Sequence, residues 1–294
     1  MKGKMRWLMV GILLMALLVP SICFGLGGEV DPRDGFPGPD KLQAVLLYYR
    51  NVSATKYYVN GQVKYPNADL NANLAIARWV GYWEVVPKLT MALSVLQPYG
   101  YQNEGNIYNQ TSTGLGDTTL VEANYFNWAK TANFTAYTDL SFYAYVPDGE
   151  YDKNKAINLG ANRWDFRVNL ALIAMRYKSF TFEQHVGIDW FTKNDEYQVN
   201  KNLGQDPIYS SQTHVTYDIT KQLWLGVSYF YRNGGETQIN GVDQKNSYNE
   251  QKWMGTAAVN ITPNFQFMTQ YAWDAKIDNG FLTREIRFRF AYAW

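Results

Sequence analysis

From about residue 70 to the C-terminus, apolar and polar side chains alternate with a period of two. Trp164, Phe166, Val168, Leu170, Leu172 and Ala174 share one parity; Arg163, Asp165, Arg167, Asn169 and Ala171 share the other. In an extended chain successive side chains point to opposite faces, so one face of this segment is greasy and the other charged. Phe180, Phe182, Val186, Ile188 and Trp190 oppose Thr181, Glu183, His185, Gly187 and Asp189 in the same way. Leu223, Leu225, Val227, Tyr229 and Tyr231 repeat it, as do Phe265, Phe267, Thr269, Tyr271 and Trp273. A helix does not fit: Val168 and Leu172 would share a helical face, but Arg167 and Ala171 would share the adjoining one. The Val, Thr, Tyr, Phe and Trp content also favours strands.

Twelve such segments are predicted, near 41–50, 70–83, 87–97, 117–127, 132–146, 161–177, 179–191, 207–219, 222–232, 250–261, 264–274 and 281–294. Their connections alternate between short and long, with only Ala275–Gly280 brief on the long side. An even number of strands, with short turns at one end and long loops at the other, predicts an all-β, transmembrane antiparallel barrel. Register adds a condition. For Arg167 and Asp189 to share a face, the turn between them needs an odd number of residues, as Tyr177–Ser179 provides; a two-residue turn would need a bulge.

A soluble sandwich or lipocalin-like barrel would alternate too. Three features favour lipid. Tyr and Trp gather near segment ends, at Trp79, Tyr82, Trp83, Trp164, Trp190, Trp253 and Trp273, as amphipathic rings do at membrane interfaces. The face opposite the apolar one carries charges that a dry sandwich core could not hold unpaired. The chain ends Phe288, Phe290, Tyr292, Trp294, which resembles the C-terminal signal read by the outer-membrane barrel assembly machinery, a partner expected alongside outer-membrane lipid. The formal net charge of +1 argues against a nucleic-acid partner held by a broad basic field. An aromatic content of 16% excludes disorder for the chain as a whole.

Lys2, Lys4 and Arg6 precede an apolar stretch from Trp7 to Val19, broken by Pro20 and followed by Ser21, Gly25, Gly27 and Gly28. This is the pattern of a secretory signal peptide, expected over 1–25 with the cut after Gly25, or after Gly28. Ile22 is too bulky for Cys23 to be a lipid-attachment site, and a cut after Gly25 leaves no cysteine and no disulfide. Loss of Lys2, Lys4 and Arg6 takes the 27 basic residues to 24 against 26 acidic ones, a net charge of −2. Residues 26–40, with Pro32, Pro37 and Pro39, read as a Gly/Pro-rich periplasmic lead-in, with a lumen plug as the alternative. The barrel is expected over 41–294.

By parity the lumen receives Arg163, Asp165, Arg167, Asn169, Glu183, His185, Asp189, His214, Asp218, Arg232, Asp274, Glu285, Arg287 and Arg289. Opposite charges on neighbouring strands can pair across the sheet, or form a constriction that selects solutes. Tyr143, Tyr145, Phe191, Trp224, Phe230, Met254 and Met268 share that parity, and such lining suits a semi-polar or aromatic small molecule. An enzyme needs a nucleophile and base about 3 Å apart. Ser210 and Asp218 share the face of His214, but at four residues each way along a strand they lie roughly 13 Å off. No metal-ligand, nucleophile-elbow or phosphate-loop motif is present, and no cofactor is expected.

Gly114-Leu115-Gly116-Asp117 enters a strand, Pro147-Asp148-Gly149 precedes Leu159-Gly160-Ala161-Asn162-Arg163-Trp164, and a further loop carries Asn194, Tyr197 and Gly204. In these motifs the chain resembles the outer-membrane proteins of the meta-pathway of phenol degradation family, in which Thr is commoner where Asp148 stands. The resemblance implies an outer-membrane channel for aromatic or other hydrophobic compounds. With no energy-coupling segment visible, transport would be passive. The alternatives are a general diffusion porin for hydrophilic solutes, a barrel enzyme acting on lipid or peptide, and a structural surface protein.

Overall fold

The computed structural model describes residues 29–294 and, before them, only the backbone of Ile22–Cys23. The signal peptide expected over 1–25, and its cleavage site, otherwise lie outside the described residues. Twelve long strands form one sheet among the described residues. They are β1 (Gln43–Val59), β2 (Leu70–Val86), β3 (Leu89–Glu104), β4 (Thr119–Lys130), β5 (Phe134–Tyr145) and β6 (Asp165–Tyr177), then β7 (Phe180–Phe191), β8 (Ile208–Asp218), β9 (Leu223–Gly234), β10 (Tyr248–Thr262), β11 (Phe265–Lys276) and β12 (Gly280–Ala293). Each pairs antiparallel with the next, and β12 pairs antiparallel with β1 from Ala44↔Ala293 to Ala54↔Thr283. The sheet is therefore a closed barrel, the form that leaves no unpaired edge in lipid.

Alternation sorts the side chains as expected. On β7, Thr181, Glu183, His185 and Asp189 are buried in the lumen, while Phe180, Val186 and Trp190 stand exposed on the outer face. Outward aromatics form two girdles. Trp164, Phe166, Trp190, Tyr209, Trp253 and Trp273 ring the long-loop end, and Trp128, Tyr177, Tyr217, Tyr292 and Trp294 ring the short-turn end. Above the first girdle the outward face turns polar. Asn73 accepts hydrogen bonds from Tyr49 Oη (2.7 Å) and Asn51 Nδ2 (2.9 Å) and donates to Asn71 (2.9 Å). That ladder accompanies the extension of β1 to Val59, beyond the expected 50, and β3 likewise runs past the expected 97 to Glu104. Clear of lipid, the strands keep pairing with polar side chains outward, while Val52, Ala54, Tyr57 and Leu70 are buried inward.

The β6–β7 hairpin closes through two residues, Lys178 and Ser179, between paired Tyr177 and Phe180. Lys178 adopts a positive φ of 52°. The odd-numbered turn is thus replaced by a tight turn plus a bulge: Ala171 faces His185, but Ile173 faces Gln184, leaving Leu172 as the extra residue. Below the bulge the parity inverts, so Ala174 is buried in the lumen rather than facing lipid. Tyr82 also departs from expectation. It packs inward with Tyr125 against Ala44, Val80 and Ala92 instead of joining a girdle.

The largest difference lies before β1. Residues 29–36 of the expected lead-in thread the lumen, the alternative plug, and 37–42 leave it at the short-turn end. Leu42 is fixed there beside Tyr82, and Gln43 exchanges backbone hydrogen bonds with Trp294. The Gly/Pro-rich composition of this segment carries no information about its side-chain partners in the barrel wall.

Leu170 lies on the outer face in a cross-strand row with Leu140 and Val186, midway along the hydrophobic band. Leu170→Arg is expected to lower folding stability in lipid vesicles by roughly 2–4 kcal/mol, measured by reversible denaturant unfolding. Unchanged stability would place position 170 away from the hydrocarbon.

Candidate functional site

The lumen is divided by height. Towards the long-loop end lies a cavity of about 260 Å³. Apolar cavities of ~150 Å³ accept benzene, so this volume suits a substituted single-ring molecule. Its wall is Tyr57, Tyr145, Phe191, Leu203, Ile208 and Phe281, and its floor is charged, with Arg167, Asp189, Arg232, Glu250, Lys252 and Glu285. The floor charges are paired. Arg167 Nη2 donates to Asp189 at 2.7 Å and Arg232 Nη1 to Glu250 at 3.1 Å, while Arg50 grips Glu285 with Nε and Nη2. Arg167 Nε and Nη1 and Arg232 Nε are buried and make no hydrogen bond among the described residues. Two guanidinium groups lie over aromatic rings, Arg163 on Phe191 (4.5 Å) and Arg232 on Tyr248 (4.8 Å).

Beneath the floor the lumen is filled by the plug and by side chains that meet it. Glu29 accepts from Lys252 Nζ (2.7 Å) and from Arg287. Asp31 accepts from Arg289 Nη1 (2.9 Å) and Gln270 (3.1 Å), and Asp34 from Arg78 Nη1 (3.0 Å). On the opposite side Glu183 accepts the backbone N–H groups of Arg33 (2.6 Å) and Gly35 (2.9 Å). Arg33 donates to Asp218 (2.7 Å) and Thr216 (2.9 Å) and lies 4.2 Å over Trp224. Gly35 is needed at this seat, since a Cβ would come 2.7 Å from Glu183 Oε1 and 2.8 Å from Ala174 Cβ.

The residues expected in the lumen are therefore inside it, on two levels. Arg163, Asp165, Arg167, Asp189, Arg232 and Glu285 line the cavity. Glu183, His185, His214, Trp224, Arg287 and Arg289 are buried lower down, around the plug. Asn169 lies between them, 3.3 Å from His185 Nδ1. Arg50, Arg78, Glu250 and Lys252 escaped the sequence reading. Glu250 and Lys252 have the parity of Met254 and were open to the same argument; Arg50 sits on a strand apolar on both faces. Ser228 also escaped. It pairs across the sheet with His214, and its Oγ lies 2.8 Å from His214 Nδ1. Same-strand spacing could not show this. His214 Nε2 has no hydrogen-bond partner among the described residues, and both side chains are fully buried, so no third group orients this pair and the plug covers it.

The loops over the cavity are tied by the three motifs. Asp117 accepts from Gly149 N (3.0 Å) and Ala161 N (2.8 Å), and Asp148 accepts from Thr118 N (2.8 Å) and Thr118 Oγ1 (2.7 Å). A Cβ on Gly149 would lie 2.7 Å from the backbone of Gly116 and Asp117. Asn194 is buried and bonds Tyr151 Oη, Ala161 O and Asn162. Tyr197 packs with Leu203 and Ile239 in a small four-stranded loop sheet, with Leu203 also facing the cavity.

Closed twelve-stranded wall, aromatic girdles and an aromatic-walled cavity over a charged, plugged lumen define a transmembrane β-barrel of the outer-membrane channel fold. Residues 46–290 match the family described as "Putative MetA-pathway of phenol degradation", and the chain belongs to that family. The COG4313 outer membrane channel from Pseudomonas putida F1 is similar in fold, at 23% identity over 90% of this chain and 100% of that one, with a TM-score of 0.87. The transport unit of the autotransporter AIDA-I from Escherichia coli is more distant, at 9% identity over 90% and 93% of the two chains and a TM-score of 0.48. No curated protein matches the chain.

The Asp117 clamp has a pH signature. Burial pushes its carboxyl up to about 6, against the pull of the Ala161 and Gly149 amides. The folded value lies above the unfolded one of about 3.9, so the clamp is firmest below pH 4 and weakens as pH rises through 6. Amide exchange over 146–161, corrected for intrinsic rates, is expected to be slower at pH 5 than at pH 7.5, and Asp117→Asn should remove the difference. Gly149→Ala should speed exchange at both. Identical exchange in the wild type at the two values would contradict the assignment.

Proposed function

We propose that the protein is an outer-membrane channel admitting small aromatic or hydrophobic molecules passively, with its long loops facing outward. Membership of the family supports the channel reading, and the cavity carries the choice of solute. Its walls offer Tyr57, Tyr145, Phe191 and Phe281 rings to an aromatic body, while the Arg167 and Arg232 donors can take a hydroxyl or carboxyl group. Apolar lining with a few converging polar groups is the usual construction of a small-ligand site. A pore for sugars and ions needs an open, hydrated bore. Here, below the cavity, Trp224 packs with Met268 and Phe230 with Met254, all buried, and Arg33 of the plug lies over Trp224.

The lipid-facing band and the two girdles support residence in the outer-membrane bilayer. The aromatic β12 ending at Trp294 supports insertion by the barrel assembly machinery.

Cells lacking their own general porins and expressing this chain are expected to take up labelled phenol several-fold faster than vector controls, with arabinose entry unchanged. Ile208→Trp, which fills the cavity, should remove most of the phenol gain. In planar bilayers the conductance should be small. A large, weakly selective current with rapid arabinose entry would overturn this reading in favour of a general diffusion pore.

A further inference from the structure

The wall facing the plug is not electrically uniform. Arg50 on β1, Arg78 on β2, Lys252 on β10 and Arg287 and Arg289 on β12 form a basic ladder along one side of the lumen, while Glu285 and Asp274 supply the acidic groups of that side. The surplus is met by Glu29, Asp31 and Asp34 of the plug. Opposite, Glu183 and Asp218 are met by the plug's own backbone N–H groups and Arg33. The plug is thus held as a counter-ion, charge against charge on both walls. A buried guanidinium or ammonium cannot lose its partner without a penalty of several kcal/mol, so the segment leaves only if another anion or water takes its place.

Glu29 is the member of this set that reaches the cavity. Its carboxylate lies at the cavity floor, 2.7 Å from Lys252 Nζ, 3.7 Å from Arg50 Nη2 and in contact with Arg287 Nη2. All three cations come from rigid barrel strands. The carboxylate comes from residues 29–42, which contain no strand, although Ile22–Cys23 upstream pair parallel with Ile157–Asn158. Above it lie the Tyr57 and Phe281 rings, 4.8 Å apart centre to centre and edge to face.

We propose that Arg50, Lys252 and Arg287 form a binding subsite for the carboxylate of an organic anion, and that Glu29 occupies it until such a solute displaces it. The inference rests on the channel reading and singles out aromatic acids among its solutes as those that move the plug, since their ring fits the cavity wall while the carboxylate replaces that of Glu29. Displacement frees the top of the plug, so an aromatic acid widens its own path. Exchange of one carboxylate for another leaves the ladder neutralised throughout, which avoids the penalty of bare buried charge.

The test places a thiol beside the subsite. Val30→Cys is made in a Cys23→Ser background, and the full chain is reconstituted in vesicles. Labelling by a small thiol reagent is followed in potassium benzoate, in potassium chloride and in chloride plus neutral benzamide. Benzoate is expected to accelerate labelling several-fold over chloride at equal ionic strength, and benzamide is expected to have no effect. Adding Glu29→Gln should give fast labelling in chloride already, with little further gain from benzoate. Equal rates in all three solutions would overturn the subsite, as would equal acceleration by chloride and benzoate titrations, which is screening by salt. Phenol uptake reads the channel independently: uptake without a benzoate effect removes the subsite and keeps the channel, whereas no phenol uptake removes the channel itself.

Discussion

A bilayer core offers no water to a backbone N–H or C=O, and this requirement governs everything else in the molecule. It forces the sheet to close, and closure depends on β1 and β12 finding one another in register, from Ala44↔Ala293 to Ala54↔Thr283. The exchange between Gln43 and Trp294 at the short-turn end completes the seam. Once the cylinder is sealed, period-two alternation sends every second side chain inward. The polar residues excluded from lipid are thereby concentrated in a narrow bore.

That concentration creates the second problem, many charges in a confined space. The barrel does not solve it alone. Arg167–Asp189 and Arg232–Glu250 pair between neighbouring strands, yet the side lined by Arg50, Lys252, Arg287 and Arg289 needs the carboxylates of the N-terminal segment. A wall with a surplus of one sign gives the plug a single seat and orientation. It also means that the interior is set by a segment outside the repeating strands.

The strands were legible because their signal is local and repeated. Phe166, Val168 and Leu170 against Arg167 and Asn169 fix a face from five consecutive residues. What the sequence concealed has no such period. The extra residue at Leu172 is as apolar as its neighbours, so nothing marked the bulge that turns Ala174 inward. The polar continuation of β1 through Asn51 and Ser53 reads as loop, because alternation is lost where lipid ends. Cross-strand partners such as His214 and Ser228 depend on the register of β8 against β9, which is set by the turn around 219–222. The plug was hidden more deeply: Glu29, Asp31 and Asp34 in a Gly/Pro-rich stretch have the composition of any solvated tail.

The residues that carry the family resemblance only partly coincide with the cavity lining: Gly116, Asp117, Leu159, Ala161 and Arg163 reach it, whereas Asp148, Gly149 and Asn194 do not. Asp117, Asp148, Gly149 and Asn194 hold one loop to another by hydrogen bonds and close backbone contact. They frame the mouth of the cavity. Phe191, Ile208 and Phe281, which face into it, come from the barrel strands themselves. A side chain on a strand can change size or polarity without disturbing the backbone ladder that holds it, whereas Gly149 cannot gain a Cβ without moving Gly116 and Asp117. The loop motifs therefore frame the cavity and supply part of its upper lining, and inward strand positions supply the rest.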